Sequence, residues 1–296
     1  MFARTFAVLM RFAVGLLWVL HFLPFPLLAV LGTGLGRLGF YLIRERRHVC
    51  LTNLAKCFPD MPEAERVSLA KRHFAAVGRA FLDHGVLFWS SARRIRRVVR
   101  IIDWERYVEV SSGPVIFLAP HFVGLDAGGT RLTIETEAVS MYAKQKDPVI
   151  NDLLRRHRSR FKPVRLFSRQ DGIRPIIREM RKGLPFYYLP DQDYGPRASV
   201  FVPFFGVPTA TITGLPRVAQ LLRARVVPLV TRILPGGKGY EMRVYPPWTD
   251  FPSGDDAADA RRMNAFIEER ILEMPEQYNW VHRRFKTRPP GEAGFY

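Results

Sequence analysis

Acidic residues and cysteine are scarce in this sequence. It has 27 Asp and Glu residues against 45 Lys and Arg residues, which gives a formal net charge of +18. Such an excess of positive charge predicts acidic partners, which include nucleic acid, anionic lipid headgroups, phosphorylated substrates and acidic carrier proteins. The two cysteines, Cys50 and Cys57, are too few for a disulfide framework and lack the paired spacing of a zinc site, so we expect a reducing compartment.

Motifs that signal a bound metal, a nucleotide or a serine nucleophile are missing. The seven histidines are scattered, and none lies in an H-E-x-x-H pattern. There is no glycine-rich loop of the Walker type and no G-x-S-x-G motif. The sequence therefore predicts no metal site.

Charge is absent from a long run near the N-terminus. Residues 12–36 contain no Asp, Glu, Lys or Arg and are mostly apolar, which is long enough to cross a bilayer core of roughly 30 Å. A cleavable signal peptide is the alternative, but no clear small-x-small cleavage site closes the run before Arg37. Because His21, Pro24 and Pro26 interrupt the run, it is either a kinked span or a helix that stays within one leaflet.

Positive residues follow this apolar run more densely than they precede it. By the positive-inside rule, the rest of the chain then lies in the cytoplasm. We therefore predict an N-terminal membrane-anchoring helix within residues 1–40 and a cytoplasmic-face domain over residues 41–296. With such an anchor, anionic membrane lipid is the expected partner and nucleic acid is not. The flanking residues are Arg37, Arg44, Arg46, Arg47 and His48.

Short apolar runs alternate with segments of helical spacing from Gly113 onward. Several runs are apolar throughout, as strands buried on both faces are, and the alternation predicts an α/β layered domain. Before this region, the arginine-rich segment 91–100 indicates a solvated helix face or a stretch lying at the membrane surface. The predicted strands are PVIFLA, VSMYAK, PFYYLP, ASVFVPF, ARVVPLVTRIL and YEMRVYPPW. The predicted helices cover residues 62–90, 147–160, 172–182, 213–224 and 256–273.

One histidine directly follows a predicted buried strand. His121 comes after Pro120, and Asp126 follows five residues later. In a regular helix, residues five apart point about 140° away from each other, so a His–Asp contact needs a loop that leads into a helix. In that geometry the carboxylate would fix the tautomer of the imidazole and stabilise its protonated form. Viewed alone, the pair is better explained by a structural histidine, because no serine or cysteine nucleophile accompanies it.

The wider sequence around this pair resembles the late acyltransferases of lipid A biosynthesis, the lauroyl and myristoyl transferases of the lysophospholipid acyltransferase superfamily. The superfamily signature H-x-x-x-x-D appears here as HFVGLD. The lipid A branch often has Glu in place of Asp126, so this chain departs from the commoner branch form. The resemblance continues, in the expected order over nearly the whole chain, in RRHVCLTNLAKCFP, RQDGIRPIIREMRKG, LPDQDYGPRASVFVPFFGVPTATITGLPRVA and PEQYNWVHRRFKTRP.

This resemblance implies a membrane-bound O-acyltransferase with a mixed central sheet flanked by helices, as in glycerolipid acyltransferases, and an N-terminal membrane helix. It would transfer a fatty acyl chain from an acyl thioester, with acyl carrier protein as the expected carrier, to a hydroxyl of a lipid A precursor. His121 would act as general base and Asp126 would orient it. No cofactor is expected beyond acyl-carrier protein or acyl-CoA as co-substrate. The expected location is the bacterial inner membrane, with the catalytic domain on the cytoplasmic side.

The resemblance also implies substrate-binding roles, each with a plain structural alternative. Arg169 would bind phosphate or carboxylate of the acceptor, or lie at the surface of a basic helix. The group Asp191, Gln192 and Asp193 would hold sugar hydroxyls, or cap a turn. Thr211 would help to line the site.

Two aromatic blocks complete the predicted site. The VPFFG block, with Phe204, Phe205 and Gly206, would contact an acyl chain or lipid, or form ordinary core. The HRRFK block would seat the acceptor or anionic headgroups through His282, Arg283 and Arg284, or form a structural corner.

Two other functions are consistent with these observations. One is an acyltransferase of the same superfamily that acts on a lysophospholipid or other lysolipid with acyl-CoA. The other is a non-catalytic, membrane-associated lipid-binding protein, which would tolerate substitution of Asp126.

Overall fold

The computed structural model describes residues 2–145 and 147–296, and side chains from residue 11 onward except that of residue 149. The helices are α1 Phe2–Leu20, α2 Phe25–Leu42, α3 Arg44–Cys57, α4 Glu63–Trp89, α5 Ala92–Val98, α6 Glu105–Val108, α7 Leu125–Glu135, α8 Pro148–Arg158, α9 Arg174–Met180, α10 Gly214–Leu222 and α11 Asp256–Glu273. The strands are β1 Val99–Ile102, β2 Val115–Leu118, β3 Ala138–Tyr142, β4 Val164–Ser168, β5 Phe186–Tyr188, β6 Ser199–Phe204, β7 Val207–Ile212, β8 Arg225–Ile233 and β9 Tyr240–Val244. Met1, the first residue of the predicted anchor, and Lys146 lie outside the described residues.

A central sheet organises the chain. In the described residues it has the strand order β1-β9-β8-β2-β5-β3-β4, and β6 and β7 form a separate antiparallel pair. The neighbours in the central sheet are parallel, except β8 and β9, which are antiparallel. Helices cover both faces, because strands such as β2, buried at all four positions, need apolar cover on each side. The predicted α/β fold with a mixed central sheet is confirmed.

The N-terminal hairpin, formed by α1 and α2, breaks at residues 21–24, where the sequence carries Pro24. Its second helix packs along α4 through glycines. A Cβ atom added to Gly36 would lie 2.0 Å from the carbonyl oxygen of Phe74, and one added to Gly78 would lie 2.4 Å from the carbonyl oxygen of Gly32. The two helix backbones are therefore in direct contact, and no side chain larger than hydrogen fits between them.

The opposite face of α2 is apolar and open. Val30, Leu38 and Leu42 are 68%, 53% and 69% exposed. By length and composition, α2 is the helix that is apolar enough to cross a membrane among the residues described. Its inner face, by contrast, belongs to the folded body of the protein.

Candidate functional site

His121 lies at the edge of the sheet where parallel strands β2 and β5 end. Its Nδ1–H donates to Asp191 Oδ1 at 2.6 Å, and its backbone N–H donates to Asp191 Oδ2 at 2.9 Å. Asp191 follows β5, which pairs directly with β2, so strand pairing brings the two residues together. The double contact fixes both the backbone and the ring of His121 and leaves Nε2 as the nitrogen that can exchange a proton with a ligand.

Asp191 is a buried carboxylate that stays ionised. Burial opposes its ionisation, but the interactions with His121 and Arg284 outweigh burial, so its pKa lies below the ordinary value. Arg284 is 3% exposed and donates to the Ala210 carbonyl at 2.9 Å and to Thr211 Oγ1 at 3.4 Å. Arg284 is therefore a buried charge that is held by Ala210 and Thr211 and acts on Asp191, and its position does not fit a surface contact with a headgroup.

Asp126 has different partners, and the expectation that it orients His121 is corrected. It lies in the first turn of α7, where Oδ2 is 3.3 Å from His84 Nε2 on α4 and Oδ1 is 3.4 Å from Arg158 Nη2 on α8. The helix begins at Leu125, so the five-residue spacing turns this carboxylate toward α4 and α8. Asp191 takes the position beside His121 instead.

The contact between His84 and Asp126 shifts the pKa of both groups. The pKa of His84 is raised, because hydrogen bonding and attraction to Asp126 outweigh burial. The pKa of Asp126 lies well below its ordinary range: burial would raise it, but His84 and Arg158 outweigh that effect. Neither His84 nor Arg158 carried a sequence signal of its own, although Arg158 lies near the end of a predicted helix rich in arginine.

A cavity of about 670 Å³ opens beside His121. His121, Asp126 and Arg158 line it together with Arg169 and Gln192, and most of its remaining wall is apolar or aromatic. Arg169 donates to the Tyr194 hydroxyl at 3.2 Å and to Gln192 Oε1 at 3.4 Å. The predicted residues Arg169 and Gln192 are thus brought to the same cavity as His121.

Asp193 has a structural position. Its carboxylate accepts from the Thr287 backbone N–H at 2.6 Å, from the Thr287 hydroxyl at 2.7 Å and from the Gly195 N–H at 2.9 Å. Its own N–H donates to His282 Nε2 at 3.2 Å. Burial lowers the pKa of His282 to about 4, so this histidine is neutral and holds the turn. The geometry agrees with the turn-capping alternative for Asp193.

The VPFFG block lies in the core and in the turn between β6 and β7. Phe204 is fully buried and contacts the rings of Tyr278 and Phe285. Phe205 and Gly206 form the turn at positive φ, and the Phe205 N–H donates to Glu268. The acyl-contact interpretation is therefore replaced by the core interpretation.

Arg283 is at the surface and forms an ion pair with Glu45 at 3.2 Å. Over residues 2–145 and 147–296, no three His, Cys, Asp or Glu side chains come together as metal ligands would.

Comparison with known proteins gives consistent matches. Residues 2–287 match the family model described as bacterial lipid A biosynthesis acyltransferase. The chain is 36% identical to the lipid A biosynthesis lauroyltransferase of Escherichia coli (strain K12), with 96% of this chain and 93% of that protein covered. It is also 36% identical to the lipid A biosynthesis myristoyltransferase of the same organism, with 92% and 83% covered. A lipid A biosynthesis acyltransferase of Haemophilus influenzae is 34% identical, with 93% and 87% covered.

A solved structure is also similar to this chain. It is the crystal structure of the 1-acyl-sn-glycerophosphate acyltransferase PlsC from Thermotoga maritima, with 16% sequence identity. The match covers 81% of this chain and 96% of that chain at a TM-score of 0.36.

Proposed function

The chain belongs to the bacterial lipid A biosynthesis acyltransferase family, and we propose that it transfers a fatty acyl group from an acyl thioester to a hydroxyl of a lipid A precursor. The observation that carries this proposal is the His121–Asp191 pair at an apolar cavity of about 670 Å³. A base held by a buried carboxylate suits deprotonation of an alcohol, and an apolar cavity suits an alkyl chain.

The proposed reaction is a direct transfer. His121 Nε2 takes the proton from the acceptor hydroxyl while the oxygen attacks the thioester carbonyl carbon. The new C–O bond forms, the C–S bond breaks, and the thiolate takes the proton back from the His121 imidazolium. Asp191 holds the ring through Nδ1 and stabilises its positive charge while the proton is bound, so Asp191 replaces Asp126 in the orienting role.

Acyl carrier protein is the proposed donor carrier. Its expected acidic surface complements a chain with a net charge of +18. Arg169 and Arg217 line the cavity, where they would meet the phosphate that links an acyl chain to its carrier. Acyl-CoA carries the same kind of phosphate, so the two donors must be compared directly.

The proposed membrane association is monotopic, on the cytoplasmic side of the inner membrane. With its backbone against α4, helix α2 has only one face free for lipid, and that face is apolar. Basic α5 lies beside the hairpin, since Arg94 donates to the carbonyls of His21 and Leu23 at 2.6 and 2.9 Å. The neighbouring Arg93 and Arg97 would then meet anionic headgroups.

The test is an assay of purified protein with acyl-carrier protein and a lipid A precursor. His121→Ala should lower kcat by about 10²–10⁴-fold, the range associated with positioned proton transfer. His48→Ala is the matched control, because His48 is an exposed histidine on α3 and is not among the residues that line the cavity.

Three different results would contradict the mechanism, the donor and the membrane insertion separately. Activity of His121→Ala equal to that of the wild type, with an unchanged melting temperature, would contradict the mechanism. Faster turnover with acyl-CoA than with acyl-carrier protein would contradict the proposed donor. Extraction of the protein by salt alone, without detergent, would contradict insertion of the hairpin.

A further inference from the structure

The cavity beside His121 extends over both faces of the central sheet. The three residues of β5 all line it, and successive side chains of a strand point to opposite faces. Tyr187 is paired with Ser140 of β3, whereas Phe186 is paired with Val139. The cavity therefore has two chambers, one on either side of β3 and β5.

The α7-side chamber is lined by Gly129, Thr133, Ser140 and Tyr187. The chamber is narrow between Gly129 and Tyr187, because a Cβ atom added to Gly129 would lie 3.7 Å from the Tyr187 ring. From Tyr142 to Ala138 the lining strand β3 measures ~13 Å, at about 3.3 Å per residue. The segment after α8 runs beneath this end, since the Lys162 N–H donates to the Thr133 carbonyl at 2.9 Å. Backbone of the segment after α8 therefore lies at the Ala138 end of this chamber.

The α10-side chamber is lined by Ile173, Phe186, Tyr188 and Val218. Phe186 and Val218 belong to the largest hydrophobic cluster, and Ile173 and Tyr188 pack against it. Arg217, the neighbour of Val218, also lines the cavity. This chamber is therefore apolar inside and has a positive residue at its wall.

The two chambers join where β2 and β5 end, beside His121 and Gln192. Acyl transfer from a thioester to a lipid brings two alkyl chains to one base. Binding is favourable when the apolar surface of each chain is buried away from water. A single slot would force the two chains to compete for the same wall. Two chambers that meet at His121 let each chain lie on its own side of the sheet, with the hydroxyl and the carbonyl between them.

The N-terminal hairpin lies next to the α7-side chamber. His21, at the hairpin break, is 6.0 Å from Trp89 between ring centroids, and Trp89 is 5.5 Å from His157. Arg158, the next residue, lines the cavity and contacts Asp126 at its rim. An alkyl chain of a lipid that enters from a membrane at the hairpin would therefore reach the α7-side chamber before the α10-side chamber.

We propose that the α7-side chamber takes an alkyl chain of the acceptor lipid and that the α10-side chamber takes the acyl chain of the donor. This inference rests on the proposed function. Arg217 and Arg169 then lie on the donor side, where the carrier phosphate enters, and Arg158 and Asp126 lie on the acceptor side. The sheet separates the two alkyl chains, and the acceptor hydroxyl and the thioester carbonyl come together beside His121.

Chamber-filling variants test the proposal in the full-length purified protein. Gly129→Phe and Thr130→Leu, at two neighbouring α7 residues that line the cavity, narrow the α7-side chamber. Val218→Phe and Ile173→Phe narrow the α10-side chamber. Two variants for each chamber keep the test valid if one of them fails to fold. Leu221→Phe is the matched control, because Leu221 is 57% exposed on α10.

The measured quantities are the KM for the lipid A precursor and kcat/KM for acyl-carrier proteins that bear shorter and longer chains. The α7-side variants should raise the acceptor KM about tenfold and leave the donor chain-length profile unchanged. The α10-side variants should shift that profile toward shorter chains, on the order of tenfold in relative kcat/KM, with the acceptor KM unchanged.

Three outcomes are decisive. Variants of both chambers that shift the same donor profile would overturn the inference, and so would an exchange of the two effects. In both cases the wild type is active and the proposed function stands. A wild type without transfer activity would instead defeat the proposed function itself.

Discussion

The carboxylate that contacts His121 comes from Asp191, far along the chain, and it binds two groups of the same residue. Oδ1 accepts from the ring Nδ1 at 2.6 Å, and Oδ2 accepts from the backbone N–H at 2.9 Å. The ring and its own backbone are thus fixed to one rigid acceptor that is 1% exposed. The position of the histidine therefore depends on the pairing of β2 with β5.

Asp191→Asn should lower kcat by about 10²–10⁴-fold, because an amide cannot stabilise the imidazolium and can hold the wrong tautomer. The acceptor KM should change little. Asp60→Asn, at an exposed position, is the control and should be indistinguishable from the wild type. A variant at Asp191 with a full kcat would show that His121 needs no orienting carboxylate.

Arg284→Met should raise the pKa of Asp191, since this guanidinium favours the ionised carboxylate. The acid limb of the kcat–pH profile should then move to higher pH, and kcat should fall at acidic pH first. Arg283→Met is the matched control, because its side chain is exposed and forms an ion pair with exposed Glu45. Identical pH profiles for the two variants would contradict the supporting role of Arg284.

The free energy of unfolding should decrease at acidic pH because buried His73 resists protonation in the folded protein. This side chain is fully buried, its Nδ1–H donates to the Glu276 carbonyl, and burial lowers its pKa to about 4. An unfolded chain, with a histidine pKa near 6.5, binds the proton that the folded chain rejects. The free energy of unfolding should therefore decrease as pH falls from about 6.5 to about 4, by about 3 kcal/mol.

His73→Gln removes this titration, so its unfolding free energy should depend less on pH over the same range. Urea unfolding at several pH values measures the difference. His48→Gln, at an exposed position, should keep the slope of the wild type. Equal slopes in all three proteins would exclude His73 as the source.

Gly36→Ala should destabilise the protein by about 1–3 kcal/mol, because the new methyl group overlaps the Phe74 carbonyl of α4. Gly34→Ala makes the same change on the same helix, where nothing lies within 4 Å of the added Cβ. It should be neutral or stabilising by up to about 1 kcal/mol. Thermal unfolding in detergent compares the two, and equal melting temperatures would mean that α2 does not pack closely on α4.

Much of the fold could be predicted because the buried strands are apolar at nearly every position. β2, β5, β6, β8 and β9 fall within predicted runs, and β3 begins one residue before its predicted run. The strands that were missed lie at edges or outside the central sheet: β1 follows the arginine-rich segment, β4 is only partly buried, and β7 pairs with β6 alone. Burial on one side leaves a weak hydrophobic pattern, so such strands are difficult to recognise.

The site could be predicted only in part. His121 was found through its motif, but its contact with Asp191 depends on strand order, which local sequence does not specify. The direction of Asp126 depends on where α7 begins and on the packing of α4 and α8. The two phenylalanines of the VPFFG block look alike in the sequence, and only the packing of β6 assigns Phe204 to the core.

The glycine contact between α2 and α4 also bears on how the protein must be handled. Removal of the first forty residues would uncover a long groove on α4 and leave Phe74, Gly78 and Gly85 open to water. A shortened, freely soluble catalytic fragment should therefore aggregate or unfold. With the proposed attachment to lipid, the hairpin would bind the membrane through the apolar face of α2 and complete the core through the face that packs on α4, so detergent should help to keep the protein folded.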